Sequence, residues 1–115
     1  MRDLPFWIAT SAFVFILVRF VLAARSRITG PVARAKVAAG AQLLDVRTEA
    51  EFRAGAIPAA KNIPVQSLST RLGELDRARP VVVYCASGMR SASAASLLRK
   101  NGFSEVHDLG PASAW

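Results

Sequence analysis

From Leu4 to Val18 the chain carries no charge ("LPFWIATSAFVFILV"), and after Arg19 the apolar run resumes through "FVLAA" to Ala24. Beyond it the pattern breaks into short apolar runs punctuated by Gly, Pro and charge. "ITGP" at 28–31 reads as a linker, and "VARAKVAAG" predicts a short helix stopped by Gly40. "LLDV", residues 43–46, suits a buried strand. Thr48 to Glu51 spells a capping box, in which the Thr hydroxyl and the Glu carboxylate each take an orphan amide; the brief helix it opens ends at Gly55. Pro58 and Pro64 fix an extended path around a short strand at Lys61–Ile63. Leu68, Leu72 and Leu75 fall at helical spacing and predict an amphipathic helix over 66–76, despite Gly73. "PVVVYC" is continuous and β-branched, which predicts a central strand covered on both faces. A helix over Ser91–Asn101 and a last strand at "EVHDL" complete the alternation, which points to an α/β domain with a parallel sheet.

The first run decides how much chain is left for that domain. Residues 4–24 would span about 31 Å as a helix, close to the roughly 30 Å of a bilayer's hydrocarbon core. Phe6 and Trp7 lie near one end, where ring systems favour the membrane interface. A cleaved signal peptide is a second reading, since "VLAAR" offers small residues for cleavage. Against it, Asp3 offsets Arg2, and the positive charge lies downstream instead. A core helix is a third, but the rest of the chain is too short to wrap one. The expected organisation is therefore a transmembrane helix over 1–24, a basic juxtamembrane linker over 25–31 and one domain over 32–115.

Charge sets the orientation. The net charge of +7 divides into +1 for residues 1–24, +4 for residues 25–36 (Arg25, Arg27, Arg34 and Lys36, with no acid) and +2 for the rest. By the positive-inside rule the basic cluster stays in the cytoplasm, so a single-pass protein of the cell membrane with its domain facing the cytosol is expected. Arg19 can snorkel the same way. A nearly neutral domain argues against nucleic acid as a partner. With one cysteine and one histidine, neither a disulfide framework nor a cysteine-rich metal site is available, and no cofactor is implied.

The one cysteine, Cys85, stands where "VVVY" ends and a helix begins. Sites in open parallel sheets form at the carboxyl ends of strands. The loop Ala86, Ser87, Gly88, Met89, Arg90 leads into a helix N-terminus, so its amides can form a nest for an anion, with Gly88 supplying the backbone freedom. Such a setting favours thiolate over thiol and receives an anionic substrate. Arg90 either neutralises that substrate or pairs with a surface carboxylate. Asp45 ends the neighbouring strand and anchors backbone amides, Arg47 is expected to pair with Glu51 four residues on, and Ser91 reads as the helix N-cap. His107 is expected at the surface or rim rather than as a base, and Trp115 as a hydrophobic lid.

"CASGMRSASAASLLRKNGF" resembles the active-site loop and following helix of the rhodanese family. "LLDVRTEAEFRAGAIPAAKNIP" resembles its Asp-Val-Arg segment, its Glu-Phe helix and its Asn-Ile-Pro turn, and "DLGPASAW" its end. The likeness covers roughly residues 32–115. It implies a small rhodanese-like domain whose parallel sheet is flanked by helices. It also implies sulfur transfer through a persulfide on Cys85, from a small anionic donor such as thiosulfate to a thiol or protein acceptor. Departures fall at Ala56, where many members have His, at Ala59, where many have Gly, and at Pro111, where a second Gly is common. The first strand is reduced to little more than "RIT", so the sheet is expected to lack an edge strand.

Three other readings compete. A buried structural thiol explains none of the loop. A phosphatase cradle resembles Cys-x5-Arg, and the spacing here is Cys-x4-Arg. A non-catalytic module that recruits or regulates a membrane partner remains the alternative from another class.

Overall fold

The computed structural model describes residues 10–18 and 27–115. Much of the expected membrane span at 4–24 lies outside the described residues. Within it, residues 10–18 are helical (α1), and Phe13 to Val18 present their side chains to the exterior. Among the described residues no helix is long and apolar enough to cross a membrane.

The domain is built as α2 (Gly30–Ala38), β1 (Gln42–Asp45), α3 (Glu49–Ala54), β2 (Lys61–Asn62), β3 (Val81–Cys85), α4 (Met89–Lys100) and β4 (Val106–Pro111). The four strands form one parallel sheet in the order β2-β1-β3-β4. β3 is central and buried along its whole length, as its β-branched run requires. Its alternation feeds two cores. Val81, Val83 and Cys85 face a cluster with Leu44, Leu68, Ala95 and Leu98, whereas Val82 and Tyr84 face Ala33, Leu43 and Leu109 on the other side. Trp115 packs against this second cluster from its rim. The α/β domain with a parallel sheet flanked by helices is the architecture that the alternation implied.

Several local expectations are corrected. Residues 28–31 are part of the folded domain: the Ile28 amide donates to the Asp108 carbonyl at 2.9 Å, and Thr29 caps α2 through the Val32 amide. That single bond stands beside β4 where an edge strand would pair, and no strand forms there. Gly30 lies so close to the Ala114 carbonyl that a Cβ would collide with it, and Arg34 donates to the Trp115 carbonyl. Residues 66–76 form two 3-10 turns, Val65–Thr70 and Leu72–Glu74, rather than one helix. Leu68, Leu72 and Leu75 are buried as their spacing requires, but Arg71 at φ −122° interrupts the helix between them.

The proposed capping box at α3 is complete. Thr48 Oγ1 accepts from the Glu51 amide at 3.1 Å, and Glu51 Oε1 accepts from the Thr48 amide at 3.2 Å. Ala59, where many members of the resembled family have Gly, has φ +71°.

Candidate active site at the end of the central strand

Cys85 is the last residue of β3, fully buried, with Pro111 of β4 as its register neighbour. The chain turns there because Gly88 adopts φ +101°, a left-handed conformation that a side chain resists, and so places itself as the N-cap of α4. The Gly88 amide then points back and donates to Cys85 Sγ at 2.9 Å. Ala86, Ser87 and Met89 are exposed around this turn, with Met89 71% exposed, so the loop faces solvent while the sulfur sits beneath it. The sulfur thus lies against an amide at the start of a 12-residue helix, the end at which a helix presents its partial positive charge.

Ser91 is buried and is not the N-cap. Its hydroxyl donates to the Gly88 carbonyl at 3.0 Å, which locks the other side of the same peptide turn. Arg90 is held by Glu51 with two bonds, Nη1 to Oε1 at 2.6 Å and Nη2 to Oε2 at 3.1 Å. The Arg90 hydrogen bonds, followed by the Thr48 amide, hold the Glu51 carboxyl down to about 2, and Glu51 in turn raises Arg90. Of the two roles open to Arg90, the structure shows the ion pair.

Arg47 does not pair with Glu51. It lies before the Thr48 cap, outside the helix, where helical spacing does not apply, and grips Asp45 instead. Nε reaches both Asp45 oxygens at 3.1 and 3.0 Å, and Nη2 reaches Oδ2 at 2.7 Å. The same Nη2 donates to the Gly55 carbonyl at 2.7 Å, while Asp45 Oδ1 accepts the Arg47 amide at 2.8 Å. Asp45 thus does anchor an amide, and the pair braces both ends of α3. The Arg47 guanidinium lies 5.6 Å from the ring centroid of Tyr84, the residue before Cys85. Burial, followed by the Asp45 carboxylate, pushes the Tyr84 hydroxyl up to about 12, and its oxygen accepts the Ile57 amide at 3.2 Å.

The structure therefore gathers Cys85, Gly88, Ser91 and Arg90 in one loop and ties it to α3 through Glu51. Asp45 and Arg47 stand behind the loop as supports. His107 pairs in register with Val82, about 10 Å along the sheet from Cys85, and burial lowers its pKa. Two residues carry more than the sequence indicated. Glu51 was legible as a helix cap and as a partner for Arg47, not as the partner of Arg90. Arg27, counted only as juxtamembrane charge, lies with its side chain against Gly88 and Gly110, and no sequence pattern marks that contact.

Comparison with known proteins shows the family of the chain. Residues 31–113 match the model of the rhodanese-like domain. A sulfurtransferase of Allochromatium vinosum is 40% identical over 74 residues, which cover 64% of this chain and 69% of that protein. The thiosulfate sulfurtransferase GlpE of Shewanella oneidensis is 39% identical over 75 residues, covering 64% and 74%. The uncharacterized protein YqhL of Bacillus subtilis is 46% identical over 69 residues; these cover 60% of this chain but only 55% of that protein's length. Among solved structures, the human single-domain sulfurtransferase TSTD1 superposes with a TM-score of 0.64 at 31% identity, covering 78% of this chain and 91% of its own. The family match spans most of the chain and the solved relative shares its overall fold, and the chain belongs to the rhodanese-like domain family.

Proposed function

We propose that this chain is a sulfurtransferase that carries sulfane sulfur on Cys85. The observation that carries the reading is the Gly88 amide directed at Cys85 Sγ, at the hinge between β3 and α4. The Cys85 thiolate attacks the outer sulfur of thiosulfate. A new S–S bond forms on Cys85, the donor's S–S bond breaks, and sulfite leaves with the bonding electron pair. The persulfide anion that results lies at the α4 N-terminus, where amides and the helix dipole favour its charge. An acceptor then attacks the outer sulfur and returns Cys85 as thiolate; cyanide gives thiocyanate, while a thiol or a partner protein is the proposed cellular acceptor. Two half-reactions through one covalent intermediate imply ping-pong kinetics. The match to sulfurtransferases supports the class of reaction.

The test is the intact mass of the full chain after incubation with thiosulfate, beside Cys85→Ser. The wild type should gain one sulfur atom and lose it on adding cyanide, and the variant should gain none. No gain in the wild type would replace this reading with that of a non-catalytic recruitment module.

We also propose that residues 4–24 anchor the chain as a single pass of the cell membrane, with the domain in the cytoplasm. The uncharged run, the basic residues that follow it and the exposed apolar side chains of α1 support this reading. A reporter fused after Trp115 should be active only inside the cell; activity only outside would invert the topology.

A further inference from the structure

Arg27 enters the domain at the outer edge of β4, where the next residue, Ile28, bonds to the Asp108 carbonyl. From there its side chain runs across Gly110 and ends on Gly88. A Cβ at Gly110 would lie 2.9 Å from Arg27 Cδ and Nε, and one at Gly88 only 2.7 Å from Cζ. Both glycines are buried and have positive φ, at 82° and 101°. The two residues that lack a Cβ thus form a channel for this side chain at the carboxyl ends of β3 and β4.

Among the described residues no carboxylate pairs with Arg27, and its buried Nε has no hydrogen-bond acceptor. An N–H removed from water without an acceptor is costly, and an incoming oxyanion relieves that cost. Arg90, the arginine of the loop itself, is already committed to Glu51.

We propose that Arg27 is the residue that selects an anionic sulfur donor, binding the oxygens of its leaving group while Cys85 attacks the outer sulfur. The inference rests on the sulfur-transfer reading above. The preferred donor class is a sulfane sulfur attached to an oxyanion, as in thiosulfate, and the planar guanidinium suits such a group. As the S–S bond breaks, the electron pair passes to sulfite beside this cation.

The experiment compares persulfide formation in the full-length wild type, Arg27→Gln and Arg27→Lys with two donors. One is thiosulfate; the other is 2-hydroxyethyl persulfide, whose leaving group bears no oxyanion. Arg27→Gln should raise KM for thiosulfate about tenfold, the worth of one charge-assisted hydrogen bond. Arg27→Lys should fall between the two, and both variants should stay within about twofold of wild type for the organic persulfide. Equal losses for both donors, or no change for either, would overturn the assignment. A wild type that gains sulfur from neither donor would instead remove the sulfur-transfer reading, and is seen before any variant is measured.

Discussion

Glu51 grips Arg90 with both carboxylate oxygens, at 2.6 and 3.1 Å, across 39 positions of sequence. The same carboxylate closes the capping box with Thr48, so one side chain starts α3 and steadies the loop that presents Cys85. Because the two partners act as a unit, their removal should not be additive. Glu51→Gln and Arg90→Gln are each expected to slow Cys85 persulfide formation roughly threefold to tenfold, with the double variant no slower than the worse single. Rates in the four proteins check this; additive losses would mean that the two residues act separately.

Acid should loosen the domain in a definite window. The carboxyls of Glu51 and Glu74 are both held down to about 2, the first chiefly by Arg90 and the second chiefly by Arg71, then Lys61. A group whose folded pKa is depressed adds stability above its ordinary value of 4.5, and that stability fades as the pH falls from 4.5 toward 2. The Tm of the wild type should therefore drop across this range. Glu51→Gln and Glu74→Gln should each flatten the drop, and added salt should reduce it, because both pairs are partly exposed to solvent. Unchanged slopes in both variants would assign the acid transition elsewhere.

Ala59 offers a stabilising substitution. At φ +71° its Cβ crowds the backbone, a conformation that costs an L-residue roughly 1–2 kcal/mol. Glycine removes that cost but gives back about 0.4–1 kcal/mol through the freedom of the unfolded chain. Ala59→Gly should thus raise unfolding free energy by about 0.5–1 kcal/mol in urea titration. A loss of stability would show that the turn tolerates its methyl group without strain.

What the sequence disclosed and what it hid divide by distance. The capping box, the β3 run and the placement of Cys85 before a helix are governed by neighbouring residues, and each stands where the pattern put it. The Arg47 partner was misjudged because i,i+4 spacing holds only inside a helix, and Arg47 precedes the Thr48 cap. The leucines at 68, 72 and 75 marked a buried face correctly, yet a buried face does not choose between an α-helix and two 3-10 turns. Ser91 looked like a cap from its place in the string, but Gly88, three residues earlier, already turned the chain. The contacts of Glu51 with Arg90 and of Arg27 with Gly88 join distant stretches, and no local pattern encodes them.

The strand order also sets when Cys85 gains its neighbour on β4. In a parallel sheet, neighbouring strands meet only after the crossover between them has been made, so β3 cannot acquire β4 until the chain has run through Pro111. A ribosome that has just released Val81–Cys85 has delivered a strand with one neighbour available and the other still to be synthesised. The pairing of Cys85 with β4 therefore waits until Pro111 has been synthesised, and a chain stalled before β4 lacks that neighbour.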